Sequence, residues 1–182
     1  MNKKKQYFPS IIIEGCDCSG KTTLAKNIKK YLEELGADNI STMHCTSKDP
    51  KDVDYYYQLM RSKNTIFDRH FLGEMIYPDV FKRLPELTEY EYDTLMDRAK
   101  LLGVKIIVMC PPNEILRERL RNERPNEEPE VISSVEMINN SFTKLAENAV
   151  KKYDHVLIVN PSDGNVDLES VKKFLNFNYS KE

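Results

Sequence analysis

Residues 15–22 read Gly15-Cys16-Asp17-Cys18-Ser19-Gly20-Lys21-Thr22 and match G-x-x-x-x-G-K-[ST] at every position. The flanks suit that motif. Ser10 to Glu14 is a short Ile-rich run, the pattern of a buried parallel strand, and it ends at Gly15. From Thr22 to Leu35, Leu24, Ile28, Tyr31, Leu32 and Leu35 share one helical face, and Gly36 follows as a stop signal. A glycine-rich turn between a strand and a helix lets backbone N–H groups converge on phosphate oxygens. The helix start adds free donors and a partial positive charge. Lys21 supplies a mobile cation for the β- and γ-phosphates, and Thr22 supplies a hydroxyl for Mg²⁺. Residues 15–22 with Thr23 are therefore the expected seat of ATP and Mg²⁺.

Outward from this loop, strand-like and helix-like segments alternate. Asn39–Cys45 and Asn64–Asp68 read as strands, with a helix over Pro50–Arg61 between them. Thr88 and Glu91 form a capping-box pair before a helix that runs to Leu102 and stops at Gly103. Val104–Cys110 is the clearest core strand, and Pro111-Pro112 opens the next helix. Pro125 and Pro129 bracket a polar loop at Asn126–Glu128, and a long amphipathic helix covers 131–152. His155–Val159 is a fifth strand and Val166–Phe177 a last helix. Five strands alternating with helices predict an α/β domain with a mainly parallel sheet. Ligands should gather at the carboxyl ends of its strands.

The 182 residues fit one domain over 1–182, and 40% hydrophobic with 31% charged residues supports a packed core. Net charge is −2, so a whole-molecule basic field for gripping nucleic acid is absent. No stretch approaches the ~20 apolar residues of a membrane span. The basic N-terminus precedes an apolar run too short for a signal-peptide core. Cys16, Cys18, Cys45 and Cys110 are expected as free thiols in a cytoplasmic protein. Cys16-x-Cys18 lacks the spacing and second pair of a zinc site. The amphipathic helix at 131–152 reads as core, with a homodimer surface on one face as the alternative.

Two further segments carry chemistry. Asp68-Arg69 falls at the end of the third strand, and Arg grips phosphate bidentately. A cation beside that Asp suggests a second anion in the site, which favours transfer to a phosphorylated acceptor over hydrolysis. No N-K-x-D element for reading guanine in the GTPase manner occurs. Arg117–Arg124 (RERLRNER) holds four Arg in eight residues before the Pro-bracketed loop. It reads as a lid at about 117–130 whose Arg119, Arg121 or Arg124 neutralises charge on the transferring group. His44 and His155 read as strand-end residues without a chemical role, and Tyr55-Tyr56-Tyr57 as core and helix surface.

From Ile11 to Val159 the chain resembles the thymidylate kinase family, its compact phage and bacterial members most of all. EGCDCSGKTT is similar to that family's E-G-x-D-x-x-G-K-[ST]-T, and DRHFLGEMIY resembles its D-R-[YF]-x-x-S-x-x-x-Y. The resemblance implies a P-loop nucleoside monophosphate kinase fold with strand order 2-3-1-4-5. It also implies transfer of the γ-phosphoryl of ATP to dTMP or a related pyrimidine deoxynucleotide. Asp17 is implied near the acceptor sugar, Arg69 and Tyr77 at the acceptor, and Asp68 with Thr22 near the metal and reacting phosphates. His70 and Gly73 depart from the pattern. SKDP at 47–50 replaces the family's Arg-Glu-Pro, so either Lys48 meets the acceptor phosphate or the acceptor differs. Cys18 stands where some members carry Arg, so the catalytic Arg is sought in the lid. The alternatives are a nucleoside kinase of similar fold, a kinase acting on a base in DNA, and a nucleotide-binding module without transfer.

Overall fold

The computed structural model describes residues 7–46, 48–123, 126, 129–162 and 164–176, with 129 and 130 described by backbone alone. The strands are β1 (Ile11–Glu14), β2 (Ser41–His44), β3 (Thr65–Asp68), β4 (Lys105–Met109) and β5 (Val156–Val159). They form one parallel sheet in the order β2-β3-β1-β4-β5. The helices are α1 (Lys21–Glu34), α2 (Val53–Met60), α3 (Tyr77–Phe81), α4 (Glu89–Leu101), α5 (Asn113–Glu123), α6 (Pro129–Lys152) and α7 (Leu168–Phe174). This is the order 2-3-1-4-5 that the resemblance implies.

Alternation along the strands builds a core on each face of the sheet. Ile12, Phe67, Ile106 and Val108 pack toward Leu95, Met96, Leu116, Phe142 and Ala146 of α4, α5 and α6. Ile11, Ile13, Ile66, Ile107 and Met109 face Leu24, Ile28 and Leu32 of α1 and Val171 of α7. β1, β3 and most of β4 are buried, which explains their near-continuous apolar runs. β2 is an edge strand and exposed along its length, so its apolar signal is weak.

Helix boundaries follow local chemistry. Asp52 caps α2 by accepting from Tyr55 N–H, which starts the helix at Val53 rather than at Pro50. Thr88 and Glu91 form the expected capping box of α4. The stretch 72–81, unassigned in the sequence reading, holds a 3-10 helix at Leu72–Met75 and then α3. Part of the expected lid, Arg124, Pro125, Glu127 and Glu128, lies outside the described residues, as does Phe177. All four cysteines are free thiols. No helix among the described residues is long and apolar enough to cross a membrane.

Candidate active site

The strand order reverses around β1, and the loop that follows it opens at the carboxyl edge of the sheet. Gly15 has φ 140°, and a Cβ there would lie 2.7 Å from the Met109 carbonyl oxygen, so the chain passes β4 only as glycine. Gly20 has φ 98°, and a Cβ there would meet Arg119 Nη1 at 3.2 Å. Asp17, Cys18, Gly20, Lys21, Thr22 and Thr23 border a cavity of about 550 Å³. Gly15, Cys16 and Ser19 form the inner side of the loop instead. The Cys16 thiol points to Asn139 Oδ1 of α6 at 3.6 Å, and burial pushes it up to about 12. It is therefore a packing group rather than a nucleophile. Lys21 Nζ donates to the Cys16 carbonyl at 2.6 Å, and burial pulls it below the ordinary lysine range. The Ser19 hydroxyl is buried without a partner among the described residues.

Thr22 Oγ1 donates to Asp68 Oδ2 at 2.8 Å, so the helix start and the end of β3 meet as expected. Asp68 Oδ1 is buried and has no hydrogen-bond partner among the described residues. His44 lies opposite Asp68 in the parallel register, with Nδ1 3.7 Å from Oδ2, and borders the same cavity. The sequence reading gave His44 no such place, because nothing in β2 marks its end as a site. The far side of the cavity is the segment Gly164–Val166 before α7.

Arg69 takes φ 74°, a left-handed conformation rare outside glycine, while its N–H donates to the Ile13 carbonyl at 2.9 Å. Its guanidinium pairs with Asp17. Arg69 borders the first cavity and also two others, of about 360 and 290 Å³. The second is lined by Glu14, Cys45, Thr46, Lys51, Tyr56, His70, Gly73, Glu74, Tyr77, Phe81 and Arg83 besides Arg69. The third opens between Tyr77, Phe81 and the α6 side chains Val131, Ser134, Val135 and Ile138, with Asp17 at its edge. Asp17, Arg69 and Tyr77 thus converge on the third cavity.

Burial pushes Glu14 up to about 7, against the N–H groups of His70 and Leu72 that donate to its Oε1 at 2.8 and 3.1 Å. Burial pushes the His70 imidazole down to about 3 and keeps it neutral. His70 sits among Tyr56, Phe67 and Phe71, so it fills an aromatic position, and its two ring nitrogens have no partner among the described residues.

Lys48, expected at the acceptor phosphate, borders none of the three cavities. Thr46 N–H and hydroxyl both donate to Asp49 Oδ2, and Lys48 N–H donates to Thr46 Oγ1. That turn leaves Lys48 exposed and away from all three cavities, while Lys51 reaches the second. The Arg-rich segment also divides. Arg119 donates to the Cys18 carbonyl at 3.1 Å and the Gly164 carbonyl at 2.7 Å and borders the first cavity. Arg117 pairs with Glu136 and Glu114. Arg121 is exposed and borders none of the three cavities, and Arg124 lies outside the described residues. Lys51, Glu74 and Arg83 border the second cavity without any signal in the sequence, since each looks in isolation like a solvated charge.

No family model matches the chain. It is 28% identical over 111 residues to the SPbeta prophage-derived uncharacterized protein YorR of Bacillus subtilis (strain 168), covering 61% of this chain and 67% of that one. A solved structure of YorR, in complex with phosphorylated GDP, superposes with TM-score 0.68 at 21% identity and covers 90% of this chain and 91% of the other. Deoxyadenosine kinase from M. mycoides with bound dATP gives TM-score 0.53 at 19% identity, covering 92% of this chain and 100% of that one. Thymidylate kinase from Candida albicans gives 0.53 at 14%, covering 97% and 98%. The chain has the fold shared by the YorR structure, the deoxyadenosine kinase and the thymidylate kinase.

Proposed function

We propose that the chain is an ATP-dependent kinase that transfers the γ-phosphoryl group to a nucleoside monophosphate. The resemblance implies dTMP or a related pyrimidine deoxynucleotide as that acceptor. The observation that carries the reading is the position of Arg69, which borders the phosphate-loop cavity and both neighbouring cavities. A fixed cation at that junction suits two phosphates brought together: the donor's γ-phosphate and the acceptor's own.

The groups around the loop fit Mg·ATP. Asp68 Oδ1 is a buried acceptor without a partner beside the Thr22 hydroxyl, a donor set that suits a hard cation or its bound water. Thr22 and Asp68 would hold Mg²⁺, which when bound neutralises charge on the β- and γ-phosphate oxygens. Lys21 exchanges the Cys16 carbonyl for phosphate oxygens, and the loop N–H groups join it. Arg119, tied to the carbonyls of Cys18 and Gly164, closes the donor side. Arg69 leaves Asp17 to grip the acceptor phosphate, and Asp17 is then free to accept from the sugar hydroxyl. An acceptor phosphate oxygen forms the new bond to Pγ as the bond from Pγ to the bridging oxygen breaks, and ADP carries the leaving charge. Positioning and charge stabilisation are all the protein contributes to such a transfer.

A nucleoside kinase is the second reading, favoured by one observation: Glu14, near neutrality, borders the second cavity where a hydroxyl proton would be taken. Against it, Glu14 Oε1 is already engaged by two backbone N–H groups. Incubation with Mg·ATP and a panel of nucleoside monophosphates and nucleosides separates the readings through ADP release. Turnover with monophosphates supports the first, turnover with nucleosides alone supports the second, and no acceptor-dependent ADP refutes both.

A further inference from the structure

Phosphate chemistry at the second cavity is served by Arg69, yet besides Glu14 the same cavity carries three more charged side chains. Glu74 comes from the 3-10 helix at Leu72–Met75, and Lys51 from the segment ahead of α2. Arg83 is turned back toward them by Lys82, the left-handed residue that ends α3 at φ 50°, with Arg83 N–H donating to the Pro78 carbonyl at 2.9 Å. The side chains of Lys51 and Glu74 are only 8% and 5% exposed. Burying such charges is costly, and apolar side chains of similar size would usually pack at least as stably. Polar hydrogen-bonding capacity facing the cavity gives the arrangement a use.

We infer that Lys51, Glu74 and Arg83 form a recognition edge for a guanine base, so that the acceptor is a guanine nucleotide. The inference rests on the kinase reading for the place of the acceptor and departs from the pyrimidine the resemblance implies. Lys51 Nζ pairs with Glu74 Oε1, and Arg83 Nη2 donates to Glu74 Oε2 at 3.1 Å. Along this edge the order is donor, acceptor, acceptor, donor. Each carboxylate oxygen keeps a second acceptor position, Lys51 has further N–H bonds, and Arg83 Nη2 has a second N–H beyond the one given to Glu74. Guanine presents the complementary order: O6 accepts, N1–H and N2–H donate side by side, and N3 accepts. The two adjacent N–H groups match a carboxylate bidentately. Thymine has one N–H between two carbonyls, so a carbonyl oxygen would face the second carboxylate oxygen. Cytosine and adenine each offer an exocyclic amine beside an acceptor nitrogen, again one donor for two acceptors.

Calorimetric titration of the full chain, its phosphate-loop site filled with a non-hydrolysable ATP analogue, tests this with dGMP, dIMP, dAMP, dCMP and dTMP. The expected result is dGMP at least about tenfold tighter than each of the others. Inosine is the sharpest arm, because dIMP lacks only the 2-amino group. Glu74→Gln should abolish the preference for dGMP over dIMP. Arg83→Met, at a partly exposed position, gives a second readout should Glu74→Gln not fold, and should weaken dGMP more than dTMP. Equal binding of dIMP and dGMP, or tighter binding of dTMP or dCMP, overturns the inference. The two proposals fail differently. Guanine-selective binding without ADP release in the presence of ATP sinks only the kinase reading, transfer to pyrimidines alone sinks only the guanine edge, and no binding of any monophosphate sinks both.

Discussion

Gly73 stands where the resembled motif carries Ser, and in this structure a side chain at 73 would collide with Tyr77. A Cβ at position 73 would lie 2.7 Å from Tyr77 Cε2 and 3.0 Å from Cδ2. Carbon atoms pack at about 3.5–4.0 Å, so Gly73→Ala overlaps the ring by about 1 Å. The ring has little room to retreat. On one side it meets Phe142, which is fully buried, with centroids 6.2 Å apart; on the other it stacks on Phe81, which is 58% exposed, at 6.1 Å. The ring must therefore give toward Phe81, and both residues wall the second and third cavities. Overpacking of this kind costs about 1–3 kcal/mol. For a chain of this size that lowers the melting temperature by about 2–12 °C, at ~2–4 °C per kcal/mol. Acceptor KM should rise together with the loss of stability, because the displaced ring enters the acceptor site. Thermal melts and acceptor kinetics of Gly73→Ala, Tyr77→Leu and the double variant decide it. The double variant should be more stable than the sum of the single losses predicts, by about 1 kcal/mol or more. A Gly73→Ala variant that melts within about 1 °C of the parent and keeps its acceptor KM would refute the reasoning.

Lys21→Ala should lower kcat by about 10²-fold or more while circular dichroism stays unchanged, since it removes a cation aimed at the transferring group; near-normal turnover contradicts the phosphate-loop assignment. Glu14 carries a carboxyl raised from 4.5 to about 7, so the folded chain binds that proton more tightly than the unfolded chain and loses stability as pH rises between those values. Glu14→Gln keeps an acceptor oxygen for His70 and Leu72 N–H; its stability relative to the parent, from urea unfolding, should climb through that window and level off above it, and a constant difference argues against the shift. Arg119→Ala should raise the ATP KM by about tenfold, because two carbonyl contacts at the donor cavity are lost, while Arg121→Ala should stay within about twofold. Equal effects of the two substitutions contradict the division of the Arg-rich segment.

What was legible in the sequence is what short-range chemistry fixes. The loop 15–22 is contiguous, its glycines answer to backbone approach at positions 15 and 20, and β1 and α1 follow from apolar periodicity on either side. Asp68-Arg69 is a dipeptide at a strand end, so its place at the ligand edge follows once β3 is recognised. The second cavity is different in kind. Lys51, Glu74 and Arg83 come from three segments, and no periodicity links a lysine before one helix to an arginine after another. Their charges resemble a solvated surface until the left-handed turn at Lys82 and the Asp52 cap of α2 bring them together. Lys48 is turned away from the cavities by a loop built on a side-chain hydrogen bond from Thr46 to Asp49, which composition does not reveal. In α5, Leu116 and Leu120 face inward; Arg119 flanks that buried stripe toward Gly20, and Arg121 turns to solvent. Helical phase can thus separate the two arginines, but only when the direction of Gly20 is known. The residues proposed for phosphate transfer are local and read directly, whereas those proposed to face a base depend on tertiary placement and are legible only in the structure.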